Sequence, residues 1–456
     1  MSETSGPQSV STRLQRIAEL ARQMPGAALT TLSHNIDLDL LREAYRRTRK
    51  DGATGVDEVT AEEYAKTLDE NLASVLERFK SGTYWAPPVR RVHIPKGDGT
   101  KSRPIGIPTF EDKVLQRAVA MVMEAVYEQD FLDCSWGFRP GRSAHGALEA
   151  LREGLKQMNG GWVIEVDIER FFDTLDHGQL RQMLDLRVRD GMLRRMIDKW
   201  LRAGVLEEGA IHYPEGGTPQ GGVISPLLAN IYLHHVLDTW FESMAKPVLR
   251  AEAFLVRYAD DFVIACAMQS DAEKLMKVLL KRFGKYGLKL HPEKTRLVRF
   301  TKPPYKSNGK GGRGGGSGTF DLLGFTHHWK RSYRSRAWVI QRKTATSRLN
   351  RAIRKVSEWC RENRHLKAAE QFKALASKLR GHYQYFGLTG NRRALGQFFD
   401  AVCREWHRWL NRRSQRNTVT WDRFVQLLRQ YPLPKPVVVH SVYGAQRSRD
   451  PRSRMR

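Results

Sequence analysis

The chain reads as an α+β or α/β body packed over a mixed sheet, continued by a basic helical part. Three observations predict this. Short apolar strands alternate with helical stretches through the first 300 residues. Beyond them, apolar residues recur in three stripes at helical spacing. Charge is also divided unevenly: residues 301–456 hold 35 Lys and Arg against 8 Asp and Glu, and residues 1–300 are almost neutral. A hydrophobic content of 41% with 9% aromatics predicts a folded protein, and 456 residues leave room for two or three domains. A net charge of +28 gathered in one third of the chain predicts a polyanion partner.

Residues 1–35 are polar and mixed, with one helix predicted over 11–23. Over 38–80 the pattern is helical, through Leu40, Leu41 and Tyr45, then Tyr64, Leu68, Leu72, Val75, Leu76 and Phe79. Two short strands, 89–95 and 102–108, flank the turn Lys96-Gly97-Asp98-Gly99-Thr100. Helices over 111–128 and 143–158 precede the apolar strand Trp162-Val163-Ile164-Glu165-Val166, and a helix over 178–203 follows. A strand pair at 254–258 and 262–266 leads into a helix over 271–286 and a strand near Leu288. The glycine-rich stretch 302–318 lacks the Gly-Lys-Ser/Thr ending of a phosphate loop and reads as a flexible surface loop.

After 322–325 the chain turns helical. One stripe runs through Leu349, Ile353, Val356 and Cys360, a second through Leu366, Ala369, Phe372, Ala376, Leu379 and Tyr383, and a third through Leu395, Phe398, Val402, Trp406 and Leu410. Trp359, Trp406, Trp409, Tyr383 and Tyr385 could stack on bases, but their spacing favours core. Cys134, Cys266, Cys360 and Cys403 are widely separated with no CxxC pair, which argues against a zinc ribbon, an Fe–S site or a disulfide framework. His145, His177, His291 and the pair His234-His235 lack metal-ligand spacing and read as structural. With no signal-peptide pattern and no run of 18 apolar residues, the expectation is a cytoplasmic protein with no membrane partner.

The chemistry is concentrated in carboxylates. Tyr258-Ala259-Asp260-Asp261 lies between the apolar runs Phe254-Leu255-Val256 and Phe262-Val263-Ile264, and Asp167 ends another apolar strand. A solvated hairpin tip would explain the first motif alone. Strands side by side would instead bring three carboxylates to one sheet edge, where they repel unless hard cations intervene. Oxygen-only ligands suit Mg²⁺, and two such ions can serve an in-line nucleotidyl transfer.

The segment Asp167-Ile168-Glu169-Arg170-Phe171-Phe172 followed by Tyr258-Ala259-Asp260-Asp261 resembles the catalytic core of reverse transcriptases. Further blocks are similar, in the same order, to bacterial group II intron reverse transcriptase/maturases. They are Arg103-Pro104-Ile105-Gly106-Ile107-Pro108, the run 135–145 (SWGFRPGRSAH), the run 217–230 (GTPQGGVISPLLAN), 288–295 and Leu322-Leu323-Gly324-Phe325. The resemblance is dense over 40–330 and looser to about 415.

It implies an α+β right-hand polymerase with fingers and palm over a mixed sheet, followed by an all-α basic thumb or maturase domain. The boundaries it implies are an N-terminal extension at 1–37, fingers and palm at 38–330, a thumb/maturase X domain at 331–415, and a basic tail at 416–456 that would contact DNA. Asp167, Asp260 and Asp261, with the carbonyl of Ile168, are the implied ligands of two Mg²⁺ ions, for which Mn²⁺ could substitute. Phe172 matches the gate beneath the incoming sugar. Lys96, Arg103, Gln220 and Lys294 match positions around the nucleotide, with Lys294 a candidate proton donor to pyrophosphate. Arg139, Arg142, Tyr258 and Gly324 match template and primer contacts.

The implied partners are an RNA template, a DNA or RNA primer, group II intron RNA and target DNA. The implied activity is RNA-directed DNA synthesis, with assistance to intron splicing and mobility. One departure is the lack of an H-N-H endonuclease with paired cysteines, so cleavage of a second target strand is not expected. The alternative is a domesticated relative, active in phage defence or DNA repair without splicing.

Overall fold

The computed structural model describes residues 7–96, 101–207, 209–213, 216–218, 221–304, 317–332, 335–413 and 419–441. The chain divides into two compact units, Met1–Leu297 and Val298–Arg456.

The described strands of the first unit form two sheets. β1 (Val89–Lys96), β2 (Lys101–Ile107), β4 (Val205–Glu207) and β5 (Ala210–His212) make one in the order β2-β1-β4-β5, with β1 and β4 parallel and the other pairs antiparallel. β3 (Trp162–Glu169), β6 (Ala253–Tyr258), β7 (Asp261–Cys266) and β8 (Lys289–Leu290) make the other in the order β6-β7-β3-β8, and β9 (Arg296–Arg299) also pairs with β3. β7 is apolar and buried throughout after its first residue, as expected of a central strand covered on both faces.

Helices cover these sheets with apolar sides. Phe110–Tyr127 buries Val114, Leu115, Ala118, Val119, Val122 and Met123, and its N-cap Thr109 accepts from the amide of Asp112. Ala144–Gln157 begins on the N-cap Ser143, which accepts from the amide of Gly146. The single helix expected over 178–203 is two, His177–Asp185 and Gly191–Leu201. The break falls where the Asp190 carboxylate caps the second helix through the amides of Met192 and Leu193 and also accepts from those of Leu32 and Ser33. One side chain thereby ends a helix and ties the N-terminal segment to it.

That segment is better ordered than its polar composition predicts. Helix Pro7–Gln23 buries Val10, Ile17 and Ala21 in the main core. Buried Arg187 donates to the carbonyls of Ala21, Met24 and Ala27 and pairs with Asp130. A guanidinium can satisfy several carbonyls at a helix C-terminus at once.

The second unit holds a three-stranded antiparallel sheet of β10 (Phe320–Leu322), β11 (Phe325–Arg331) and β12 (Trp338–Thr344), followed by helices Thr346–Glu362, Ala368–Phe386, Arg392–Leu410 and Trp421–Gln430. β11 and β12 stand where the sequence pattern starts the helical region. In β12 the buried positions are Ile340, Arg342 and Thr344, and polar residues on the inward face hide a β period. The three apolar stripes meet as expected: Val356, Cys360, Leu379, Tyr383, Leu395, Phe398, Val402 and Trp406 form one core. Trp406 is fully buried and donates to Gln371 Oε1 at 2.7 Å, which places it in the core and not on a base-stacking surface. The glycine-rich run 305–316 and the turn 97–100 lie outside the described residues.

Candidate active site

Strand register assembles the site. β3 and β7 pair antiparallel from Trp162 opposite Cys266 to Asp167 opposite Asp261. Alternation turns Val166 and Ile168 into the core, leaving Asp167 on the other face. β6 and β7 form a hairpin in which Tyr258 opposes Asp261, so Ala259 and Asp260 are its two-residue turn. Ala259 takes φ +57°, a left-handed conformation that a side chain disfavours.

The turn is tightly enclosed. A Cβ on Gly137 would stand 2.4 Å from the Ala259 amide nitrogen, so only glycine admits this approach.

A cavity of about 730 Å³ opens beside the strand ends, and Arg103, Asp167, Ile168, Phe172, Asp260 and Lys294 are among its lining residues. Burial raises the Asp260 carboxyl above its ordinary value, and the neighbouring Asp167 carboxylate raises it further; the backbone amide and the charges of Arg103 and Arg257 oppose this. Lys294 forms an ion pair with Asp167.

Asp167 and Asp260 line the cavity, and Asp261 sits opposite Asp167 in the register. Among the described residues no three His, Cys, Asp or Glu side chains are gathered closely enough to hold a metal ion. The ammonium of Lys294 takes the Asp167 carboxylate in place of a shared centre. The donor set itself is carboxylate and carbonyl oxygen, which fits a hard divalent cation.

Phe171 is buried, whereas Phe172 is half-buried and lines the cavity. The Phe172 carbonyl accepts from the Thr218 amide at 2.7 Å. Gly217, at φ +85°, lies so close that a Cβ would stand 2.7 Å from the same carbonyl. The glycine-rich segment thus packs on the backbone beneath Phe172.

The remaining candidates are placed differently. Arg139 is not available to a template. Its side chain is 3% exposed, pairs with Glu128 and donates to the carbonyls of Phe131, Leu132 and Ser135. This is a correction: the guanidinium is spent inside the fold. Arg142 lies over the Trp136 ring and pairs with exposed Asp133. Tyr258 packs near Phe138, which is 58% exposed, at a ring separation of 6.3 Å. Gly324, at φ +81°, belongs to the β10–β11 turn of the second unit. The Lys96 side chain and Gln220 lie outside the described residues.

Two residues escape the sequence reading. Arg170 lines the cavity from a left-handed backbone conformation, φ +46°. Arg257 is fully buried two residues before the carboxylate turn. An arginine interrupting the apolar run that starts Phe254-Leu255-Val256 is the available signal for the second.

Antiparallel strands thus bring acidic ends to a cavity also lined by Arg103, Arg170 and Lys294. A family described as reverse transcriptase (RNA-dependent DNA polymerase) matches residues 94–327, and the chain belongs to this family. It is 36% identical over 228 residues to the group II intron-encoded protein LtrA of Lactococcus lactis subsp. cremoris, covering 49% of this chain and 37% of that protein. It is 33% identical over 276 residues to protein YkfC of Escherichia coli (strain K12), covering 53% of this chain and 71% of that protein. The mitochondrial nuclear intron maturase 4 of Arabidopsis thaliana is 25% identical over 262 residues, 57% of this chain and 30% of that protein. The match therefore spans little more than a third of LtrA. Among the described residues, no helix is long and apolar enough to cross a membrane.

Proposed function

We propose that the chain is an RNA-directed DNA polymerase that adds deoxynucleotides to a primer 3′-hydroxyl. The observation that carries this reading is the cavity lined together by Asp167, Asp260, Arg103, Phe172 and Lys294. Asp167, Asp260, Asp261 and the Ile168 carbonyl would hold two Mg²⁺ ions, or Mn²⁺ in their place. Bound there, the cations would lower the charge barrier to attack by the 3′-hydroxyl and to departure of pyrophosphate.

The chain's own groups supply the rest. Arg103, exposed on β2, offers a planar fork to triphosphate oxygens. Phe172, which lines the cavity, is the residue whose apolar ring would exclude a 2′-hydroxyl by contact. Lys294, at the cavity edge, can neutralise or protonate the leaving group. Arg142, Tyr258 and Gly324 are proposed contacts for template and primer, and residues 38–330 and 331–415 the fingers-palm and thumb/maturase parts. The names of LtrA and the Arabidopsis maturase support group II intron RNA as a further partner and splicing assistance as a second role.

Primer extension on an RNA template, run with dNTPs and separately with rNTPs in Mg²⁺, tests the reading. Extension with dNTPs is expected. Folded protein that binds template-primer but incorporates no deoxynucleotide would overturn it.

A further inference from the structure

Arg257 sits two residues before the carboxylate turn with no exposed surface, and each of its five donor hydrogens has an acceptor. Nε donates to Asp238 Oδ1 at 2.7 Å, and Nη2 to Asp238 Oδ2 at 2.5 Å and Ser135 Oγ at 2.7 Å. Nη1 donates to Asn230 Oδ1 at 2.9 Å and to the carbonyl of Ala259 at 3.1 Å. Asn230 in turn donates through Nδ2 to the Gly137 carbonyl at 2.7 Å. The backbone of Arg257 closes the frame: its amide donates to Cys134 O and its carbonyl accepts from Trp136 N, both at 2.8 Å.

Resting on the polymerase reading, we propose that Arg257 is a positioning residue for the catalytic turn, locking Ala259 in its left-handed conformation and so fixing where Asp260 presents its carboxylate. A buried ion pair is a poor source of net stability compared with apolar packing, and its better-attested use is to specify one arrangement. The arrangement specified here is local. Ala259 lies at φ +57°, which alanine alone does not favour, and its carbonyl is aimed at the guanidinium. Gly137 presses on the same residue from the other side and is itself fastened through Asn230 to the same nitrogen of Arg257. One fork therefore holds both the turn and the segment that covers it.

The test compares Arg257→Lys with Arg187→Lys, a substitution in an equally buried arginine network that serves helix Pro7–Gln23. Lysine keeps the charge for Asp238 but has three donors against the five that Arg257 uses, and no planar fork to reach Asn230 and Ala259 together. Arg257→Lys is expected to raise hydrogen exchange in the peptide covering 258–262 more than in that covering 163–167. It is expected to lower kcat about tenfold with KM for template-primer within about twofold, the pattern of an interaction made only in the transition state. Adding Ala259→Gly, which accepts the left-handed conformation freely, should recover several-fold of the loss. Arg187→Lys should lower Tm without changing kcat. If Arg257→Lys does not fold, Asn230→Ala carries the same expectations. Unchanged exchange at 258–262 in the folded variant, or a kcat loss that Ala259→Gly leaves untouched, would overturn the proposal. Exchange does not depend on turnover, so a wild-type protein without polymerase activity would refute the polymerase reading separately.

Discussion

Phe172 and Arg139 both stand in motifs that point to the site, and burial sends them to different roles. Phe172 is the half-buried member of a Phe-Phe pair and faces the cavity. Replacing it with Ala should raise the ratio of ribonucleotide to deoxynucleotide incorporation by about tenfold or more, since one steric contact of this kind is worth roughly 1–3 kcal/mol. Competing single-nucleotide additions measure that ratio, and an unchanged ratio would remove Phe172 from the sugar contact. Arg139→Ala should instead cost about 3 kcal/mol of stability, because it breaks a buried, multiply bonded pair. Its template-primer Kd should not change. Denaturant melts and a binding titration separate the two effects, and a large drop in affinity at unchanged stability would restore Arg139 to the template surface. Motif position tells which residues matter. It cannot tell that Arg139 is enclosed by Phe131, Leu132 and Ser135, because that enclosure depends on how the chain before it turns back.

At the scale of elements, the joint between helix Phe110–Tyr127 and the segment carrying 223–224 rests on one buried carboxyl. Asp112 accepts from Tyr84 Oη at 3.1 Å, Trp200 Nε1 at 2.6 Å and Gln116 Nε2 at 2.9 Å, and Gln116 Oε1 accepts from the amides of Val223 and Ile224. Burial pushes Asp112 up to about 6 despite these donors. A carboxyl whose folded value is raised stabilises the fold most below about pH 4, and that contribution is lost as pH rises through about 6. Asp112→Asn should therefore flatten the pH dependence of unfolding free energy between about pH 4 and 6. Denaturant melts across that range would show it, and an unchanged slope would place the carboxyl's titration elsewhere.

The catalytic hairpin is legible from sequence, because two apolar runs flanking Tyr258-Ala259-Asp260-Asp261 leave only one pairing that buries both. The break at Asp190 does carry a local signal, the N-cap Asp190 before Gly191, but the helical periodicity on both sides masks it, and its hydrogen bonds to residues 32 and 33 leave no mark in the sequence. β11 and β12 escape because polar residues occupy inward positions, His327 in one and Arg342 and Thr344 in the other, so no apolar period of two is left to read.

For the whole molecule, the separation of a near-neutral catalytic body from a basic C-terminal part is visible in charge counting alone. The helices of the second unit keep their apolar stripes inward and leave Lys355, Lys373, Arg380 and Arg393 exposed. Replacing these four by Gln should lower the steepness of log Kd against log salt for template-primer by up to about 3, at roughly 0.7–0.9 for each phosphate no longer neutralised. Binding isotherms between low and moderate salt would show the change, whereas an unaltered slope would move the electrostatic grip to other cations.

Asp260 and its neighbours are proposed to perform nucleotidyl transfer. The most direct measurement is primer extension on an RNA template with dNTPs and Mg²⁺ by the wild type beside Asp260→Asn, with RNA affinity measured on both. Extension by the wild type alone is expected, with RNA affinities within a few-fold of each other. Near-normal extension by Asp260→Asn would contradict it.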